Sequence, residues 1–121
     1  MKSLILVFAG TILLCATSGA RRPPLEQAPA READRKNPFA GQESAQRAGH
    51  KLFERECASC HGAEAAGTRR APSLSSTRLR AAAPGAIFWV LRNGSLRYGM
   101  PSFAHLPDQQ RWQLVTYLTS R

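Results

Sequence analysis

The chain has 121 residues, 43% of them hydrophobic, and its 17 lysines and arginines against 8 acids give a formal net charge of +9. This length leaves room for one small domain with a small core. The positive charge suits an acidic protein partner or anionic lipid headgroups, with solubility alone as the competing explanation. Nucleic acid is not an expected partner, because the sequence has no basic helix with interleaved aromatic residues.

Residues 1–20 have the pattern of an export signal peptide. The basic start Met1-Lys2 precedes an apolar run from Leu4 to Ala16, and the small residues Ser18-Gly19-Ala20 follow it. The run has 13 residues, fewer than the ~20 that a helix needs to span a bilayer. We therefore expect cleavage after the signal and an exported, periplasmic protein.

A cysteine inside this apolar run, Cys15, raises the question of lipidation. Leu14 stands before it, where a lipoprotein signal needs a small residue, so we expect no lipid there. Removal of residues 1–20 leaves Cys57 and Cys60 as the only cysteines. Membrane association is expected only if the signal is retained or lipidated.

Residues 21–37 are predicted to form a flexible linker ahead of the domain. Their sequence, RRPPLEQAPAREADRKN, combines three prolines with many charges. Such a composition offers too little apolar surface to fold by itself. The ordered domain is therefore predicted to cover residues 38–121.

Three helices are predicted within this domain. The first runs from near Ser44 to Cys57, because apolar residues recur there at helical spacing. The second begins at Pro84 and stops at Asn93-Gly94, and the third begins after Pro107. Residues 62–83 are predicted to be irregular with at most a short helical turn. No stretch alternates as a strand does, so the fold class is all-α.

The motif Cys57-Ala58-Ser59-Cys60-His61 contains two thiols and an imidazole that could form a disulfide or bind a metal or a cofactor. A disulfide would close too small a loop to stabilise the fold, a thioredoxin-like dithiol needs a preceding strand, and structural zinc needs a second pair of ligands. C-x-x-C-H is the signal for covalent c-type haem attachment, with Cys57 and Cys60 on the porphyrin and His61 on the iron. A domain this small also buries too little surface without a staple, a metal or a cofactor in its core.

Met100 is the predicted ligand on the opposite face of the iron. It is the only methionine outside residues 1–20, and it lies between Gly99 and Pro101 on a loop, where a core-filling methionine is unusual. His105 is the rival ligand, and we interpret it as an exposed histidine. His50 lies on the first helix close to the motif and is interpreted as a surface residue.

The haem motif and Met100-Pro101 resemble the class I c-type cytochromes, and the resemblance covers the chain from about Asn37 to Arg121. In that family a glycine and an aromatic residue of the first helix pack against an aromatic residue of the last helix. Gly49, Phe53 and Tyr117 are similar to that set. The resemblance implies the cytochrome c fold, in which three main short helices wrap around one covalently attached haem.

Ala71-Pro72-Ser73-Leu74 is similar to the Gly-Pro-x-Leu loop of the family, with Ala71 in place of glycine. In the family the proline carbonyl binds the axial histidine, so the resemblance implies that Pro72 binds His61. The turn Arg92-Asn93-Gly94, followed by Gly99-Met100-Pro101, is similar to small bacterial members that serve as electron-transfer domains beside oxidases and periplasmic dehydrogenases.

The resemblance implies a carrier of one electron, not an enzyme, working between a periplasmic or membrane reductase and an oxidase. Two filled axial positions leave no open site on the iron, and a methionine ligand raises the reduction potential. The partners are expected to have acidic docking surfaces, with Arg97 and Tyr98 as candidates for the docking rim or for a propionate contact. The alternative is a haem enzyme or gas sensor with an open sixth iron position. A zinc-bound or disulfide-bonded interaction domain is the third interpretation.

Overall fold

The computed structural model describes residues 21–121, and this part of the chain is helical. Its only β pairing is one isolated bridge between Ser95 and Met100. The all-α fold class is confirmed. Two 3-10 helices, Pro24–Gln27 and Leu96–Tyr98, accompany six α-helices: α1 Ala30–Ala33, α2 Glu43–Glu56, α3 Ala58–His61, α4 Thr77–Arg80, α5 Pro84–Asn93 and α6 Asp108–Thr119.

The three predicted helices correspond to α2, α5 and α6, and local chemistry sets their ends. Pro84 occupies the first turn of α5, where its missing N–H is not needed. Gly94 ends that helix with a φ of +69°, a left-handed value that favours glycine. The region between the haem motif and α5 is irregular except for α4, whose start is capped by Ser76 Oγ accepting from the Leu79 N–H at 3.2 Å.

The core is built where α2 crosses α6. A Cβ at Gly49 would lie 2.0 Å from the Gln113 carbonyl oxygen and 2.8 Å from Tyr117 Cβ, so only glycine permits this approach of the two backbones. One turn further along α2, the Phe53 ring lies 5.4 Å from the Tyr117 ring. The most deeply buried large side chains are Phe53, Phe88, Leu114 and Val115.

The segment predicted to be a flexible linker differs in the structure, where it packs against the domain. We call residues 24–37 the N-terminal strap. Its 3-10 helix and α1 both contact α5. A Cβ at Gly85 would lie 2.0 Å from the Glu32 carbonyl oxygen, which shows how closely the strap approaches. Asn37 Nδ2 donates to Thr116 Oγ1 at 2.9 Å and fastens the end of the strap to α6.

The difference has a physical reason in the composition of the strap. Pro24 begins the 3-10 helix and Pro29 is the N-cap residue of α1, so the prolines start short helices instead of preventing them. Leu25 packs against the hydrophobic core, and the charged Arg35 contributes by stacking on aromatic rings. Neither contribution is visible in the low apolar content of the segment.

The predicted signal peptide, residues 1–20 with Cys15, lies outside the described residues. Between residues 21 and 121, none of the helices is both long enough and apolar enough to cross a membrane.

Candidate haem-binding site

The two cysteines and the histidine of the motif lie on one helical turn. Cys57 separates α2 from α3, and its carbonyl accepts hydrogen bonds from the backbone N–H groups of Cys60 at 3.2 Å and His61 at 3.0 Å. Cys57 is buried and Cys60 is half-buried, and both are unbridged thiols. The arrangement presents two sulfur atoms and one imidazole from a segment of five residues.

The imidazole of His61 is buried and held by a backbone carbonyl. Its Nδ1 lies 2.8 Å from the carbonyl oxygen of Pro72. Because a carbonyl only accepts hydrogen bonds, Nδ1 is the donor in this contact, and Nε2 is the ring nitrogen that remains on the other side. A metal-binding histidine has this arrangement, with one ring nitrogen bonded to an outer partner and the other available to the metal.

The loop after the motif folds back over it and brings Pro72 to His61. The Gly67 N–H donates to the His61 carbonyl at 2.8 Å, and the Leu74 N–H donates to the Ala65 carbonyl at 2.8 Å. A Cβ at Gly67, where φ is +88°, would lie 2.6 Å from the Ser73 nitrogen. The loop is therefore tightly closed at the position that carries Pro72.

Ala71, the departure from the glycine of the family loop, is accommodated. Ala65 is the only non-glycine residue with positive φ in the described chain, so Ala71 does not need the left-handed conformation. Its carbonyl accepts from the Thr68 N–H at 2.9 Å. The Thr68 hydroxyl in turn donates to the Cys60 carbonyl. No motif or residue spacing in the sequence predicts this second hydrogen-bonded connection between the loop and the motif.

Met100 lies on the loop between α5 and α6, away from the motif in sequence. Its backbone pairs with Ser95 through N–H···O bonds of 2.8 and 3.1 Å. Gly99, with φ of +78°, makes the turn between the paired residues. The partly buried Met100 packs against the hydrophobic core cluster that includes Cys57. The structure thus holds the thioether and the haem motif against one core.

The two remaining histidines lie at the surface. The side chain of His105 is 61% exposed, and its Nε2 lies 3.7 Å from Glu56 Oε2. His50 stacks on Tyr117 at a ring distance of 4.9 Å, and its Nε2 is 3.6 Å from Glu54 Oε1. Both imidazoles therefore have carboxylate neighbours.

Three exposed residues lie beside Met100, two of them with large hydrophobic side chains. Leu96, Arg97 and Tyr98 form the short 3-10 helix, and Leu96 is 80% and Tyr98 48% exposed. Arg97 is also exposed. The candidates for a docking rim are thus accessible to a partner.

Burial controls the ionisation of the first cysteine. It raises the pKa of the Cys57 thiol to about 12, and the nearby Glu56 and Cys60 act in the same direction. The thiol of the folded, haem-free chain therefore stays protonated at neutral pH. Because the thiolate is the reactive form of cysteine, the buried Cys57 thiol of the folded, haem-free chain is expected to react slowly.

These residues fit a covalently attached haem better than a bare metal ion. Two thiols and a buried imidazole with a free Nε2 lie on one turn, and a thioether packs on the same core. Within residues 21–121, no group of three or more His, Cys, Asp and Glu side chains converges to hold an ion unaided. The donor set matches sulfur attachment of a porphyrin with axial ligation of its iron.

Comparison with known proteins identifies a family and a similar fold. The family model described as cytochrome c oxidase, cbb3-type, subunit III, matches residues 44–118. Among solved structures, the fold is similar to cytochrome cL of the marine methylotrophic bacterium Methylophaga aminisulfidivorans. That match has a TM-score of 0.62 and 23% identity, and covers 84% of this chain and 70% of the other. No curated protein matches the chain.

The family match spans α2, the haem motif, α5 and the Met100 loop, and it reaches nearly to the end of α6. The structural match adds the same all-helical fold. The chain therefore belongs to the family described as cytochrome c oxidase, cbb3-type, subunit III, and is a class I c-type cytochrome with covalently bound haem c.

Proposed function

We propose that this cytochrome is an electron carrier whose haem is attached through Cys57 and Cys60 and ligated by His61 and Met100. It would pass one electron between a periplasmic or membrane reductase and an oxidase. The observation that carries this proposal is the 2.8 Å contact between His61 Nδ1 and the Pro72 carbonyl. That contact leaves Nε2, on the other side of the ring, free to bind iron.

Each residue of the site has a definite task in this proposal. Haem c, when bound, supplies a one-electron couple centred on its iron. Cys57 and Cys60 fix the porphyrin to the helical turn, and Pro72 holds the orientation of His61 and raises its basicity. Burial of His61 and the apolar residues around the site exclude water, which favours a high reduction potential.

Met100 supports a carrier over an enzyme. A thioether prefers ferrous iron, so a His/Met pair raises the potential of the couple. With Met100 bound, the iron has no open position for a substrate. The backbone pairing of Met100 with Ser95 and its packing on the core support a fixed ligand loop.

The charge distribution supports an acidic redox partner. Residues 65–107, which include the Pro72 loop and the Met100 loop, contain six arginines and no acidic residue. A surface of this kind accelerates association with an acidic partner, and the rate falls as ionic strength rises. The family description names a cytochrome c oxidase, which supports an oxidase as electron acceptor. The resemblance and the C-x-x-C-H motif support an exported, periplasmic carrier.

The test of the ligand assignment is a comparison of Met100→Ala with His105→Gln in the haem-loaded protein. We expect Met100→Ala to lose the sulfur-to-iron absorption band of the oxidised protein and to lower the reduction potential. His105→Gln, the matched control at the rival ligand, should keep both properties. A wild-type spectrum without that band, unchanged in Met100→Ala, would contradict the proposal and favour a haem enzyme or gas sensor with an open position.

A further inference from the structure

We propose that Arg35 is a positioning residue that connects the N-terminal strap to the Met100 loop and so strengthens the binding of Met100 to the haem iron. The inference rests on the proposed function, in which Met100 is the axial ligand. It gives the strap a role in the redox site, although the strap lies outside the residues matched by the family, 44–118.

Arg35 is held by two aromatic rings of different helices. Its guanidinium carbon lies 4.5 Å from the centroid of Phe88 on α5 and 5.4 Å from that of Trp112 on α6. The two rings stack on one another at 4.1 Å. A cation over an aromatic face is attracted by the ring quadrupole, more strongly as water is excluded. Arg35 therefore joins the strap to both helices that flank the Met100 loop.

Asp108 connects Arg35 to a second, buried arginine. Arg35 Nη2 lies 4.0 Å from Asp108 Oδ2, and the other carboxylate oxygen pairs with Arg111 Nη2. The Arg111 side chain is only 6% exposed, so its charge needs a partner. Glu32 Oε2, 3.4 Å from Arg35 Nη1, orients the guanidinium from within the strap.

Arg111 then reaches the segment that follows Met100. Its Nη1 donates to the Phe103 carbonyl at 3.2 Å, while the Phe103 N–H donates to the Leu91 carbonyl at 2.8 Å. Phe103 is thus held from both sides, three residues after the ligand. A Cβ at Gly94 would lie 2.6 Å from the Pro101 carbonyl carbon, so the same segment also lies tightly against the end of α5.

This series of contacts makes the strap relevant to ligand binding because a loop ligand leaves the iron by local opening of its loop. The population of the open form depends on the contacts that opening must break. Without Arg35, Asp108 loses one of its two arginine partners. The stacked pair Phe88–Trp112 loses the cation that contacts both rings and keeps only Arg111, 5.1 Å from the Phe88 ring. Arg111 and Phe103 are then held less firmly, and the open form becomes more populated.

The test measures how tightly imidazole, an external ligand, binds the ferric iron of the haem-loaded protein in competition with Met100. We expect Arg35→Ala to tighten imidazole binding by about 3- to 30-fold, the range of a coupling carried through packed contacts. Hydrogen exchange of the Phe103 amide should become faster as well. Arg31→Ala is the matched control, since Arg31 is a 90% exposed arginine of the same strap that pairs with the same Glu32.

Arg35→Lys provides a second variant in case Arg35→Ala does not accumulate as haem-loaded protein. It keeps the charge but loses the planar group that stacks on Phe88, so we expect an intermediate imidazole affinity. Imidazole binding equal to that of the wild type, even with lowered resistance to unfolding, would overturn the inference and leave the strap a purely stabilising role. Absence of the sulfur-to-iron band from the wild type would instead defeat the proposed function itself.

Discussion

Pro72 accepts a hydrogen bond from Nδ1 of His61, 11 residues earlier in the chain, at 2.8 Å. The loop that makes this contact is closed by its own backbone, since the Gly67 N–H donates to the His61 carbonyl and a Cβ at Gly67 would lie 2.6 Å from the Ser73 nitrogen. The orientation of the proposed iron ligand therefore depends on Gly67, a glycine that is not itself a proposed ligand.

Gly67→Ala should disturb this loop. The substitution forces a Cβ into a left-handed conformation, which costs about 1–2 kcal/mol, and adds a collision with backbone. We expect a total loss of roughly 2–4 kcal/mol in the free energy of unfolding and a lower reduction potential.

Gly41→Ala is the matched control for this loop variant, because Gly41 has a similar φ of +73° but nothing within 4 Å of its Cβ. Urea unfolding and potentiometry of the two haem-loaded variants make the comparison. Equal losses of stability and of reduction potential in both variants would show that the tight closure of the Pro72 loop contributes to neither property.

The crossing of α2 and α6 gives a second prediction. Gly49→Ala places a Cβ 2.0 Å from the Gln113 carbonyl oxygen, a backbone atom that moves only with its helix. We expect a loss of about 3 kcal/mol or more in stability. Gln46→Ala, at an exposed position of the same helix, should stay within about 0.5 kcal/mol. Thermal or urea unfolding of both variants checks this, and a well-tolerated alanine at position 49 would contradict the packing.

Burial of Cys57 predicts slow alkylation of the haem-free chain. A pKa raised to about 12 leaves roughly one thiol in a thousand ionised at pH 9. In haem-free Cys60→Ser, whose described part then has Cys57 as its only thiol, iodoacetamide should react far more slowly in buffer than in urea. Equal rates would show that the haem-free chain does not bury this sulfur.

The raised pKa of Cys57 also makes the stability of the haem-free chain depend on pH. The pKa of Cys57 is raised in the folded chain above its ordinary value of 9.0, so the unfolded chain loses this proton first as the pH rises. The stability contributed by the protonated thiol is therefore complete below about pH 9 and declines between about pH 9 and 12. Thioether formation removes the titrating group, so the haem-loaded protein should lack this decline in urea unfolding.

The arginines near the Met100 loop should make the rate of electron transfer depend on the charge of the partner and on ionic strength. Arg97→Glu should slow oxidation of the reduced protein by the anion ferricyanide by about threefold or more at low salt, because it replaces attraction by repulsion near the ligand loop. Arg47→Glu changes the net charge equally. Arg47 lies on α2, outside the Met100 loop, and its exposed side chain already pairs with Glu43, so the rate of oxidation should fall less. Stopped-flow rates across ionic strengths compare them, and equal effects would place the electron-transfer surface elsewhere.

The fold was largely predictable because its helix ends have strong local signals. Pro84 and Gly94 bracket α5, and Pro107 precedes α6, each through a backbone restriction that acts within a few residues. The likeness of residues 71–74 to a family loop implies the contact between Pro72 and His61, and the structure contains that contact. Its role toward the haem iron is part of the proposal.

The strap was not predictable in the same way because its stability comes from distant residues. Arg35 reads as a solvated charge in the sequence, yet it stacks on Phe88 and contacts Asp108, 73 positions later, at 4.0 Å. The close approach of Glu32 to Gly85 also joins residues far apart in the chain. The composition of the segment indicates only whether it would fold in isolation, whereas its structure in the protein depends on its packing against α5.

The attachment of a haem by Cys57 and Cys60, with His61 and Met100 on its iron, can be tested by absorption spectra taken under two conditions. The chain is exported in a host with cytochrome c maturation, purified, and measured before and after denaturation. We expect haem that stays on the denatured polypeptide and a native oxidised spectrum that is low-spin with a sulfur-to-iron band. Haem that separates from the chain, or a native spectrum without that band, would contradict this assignment.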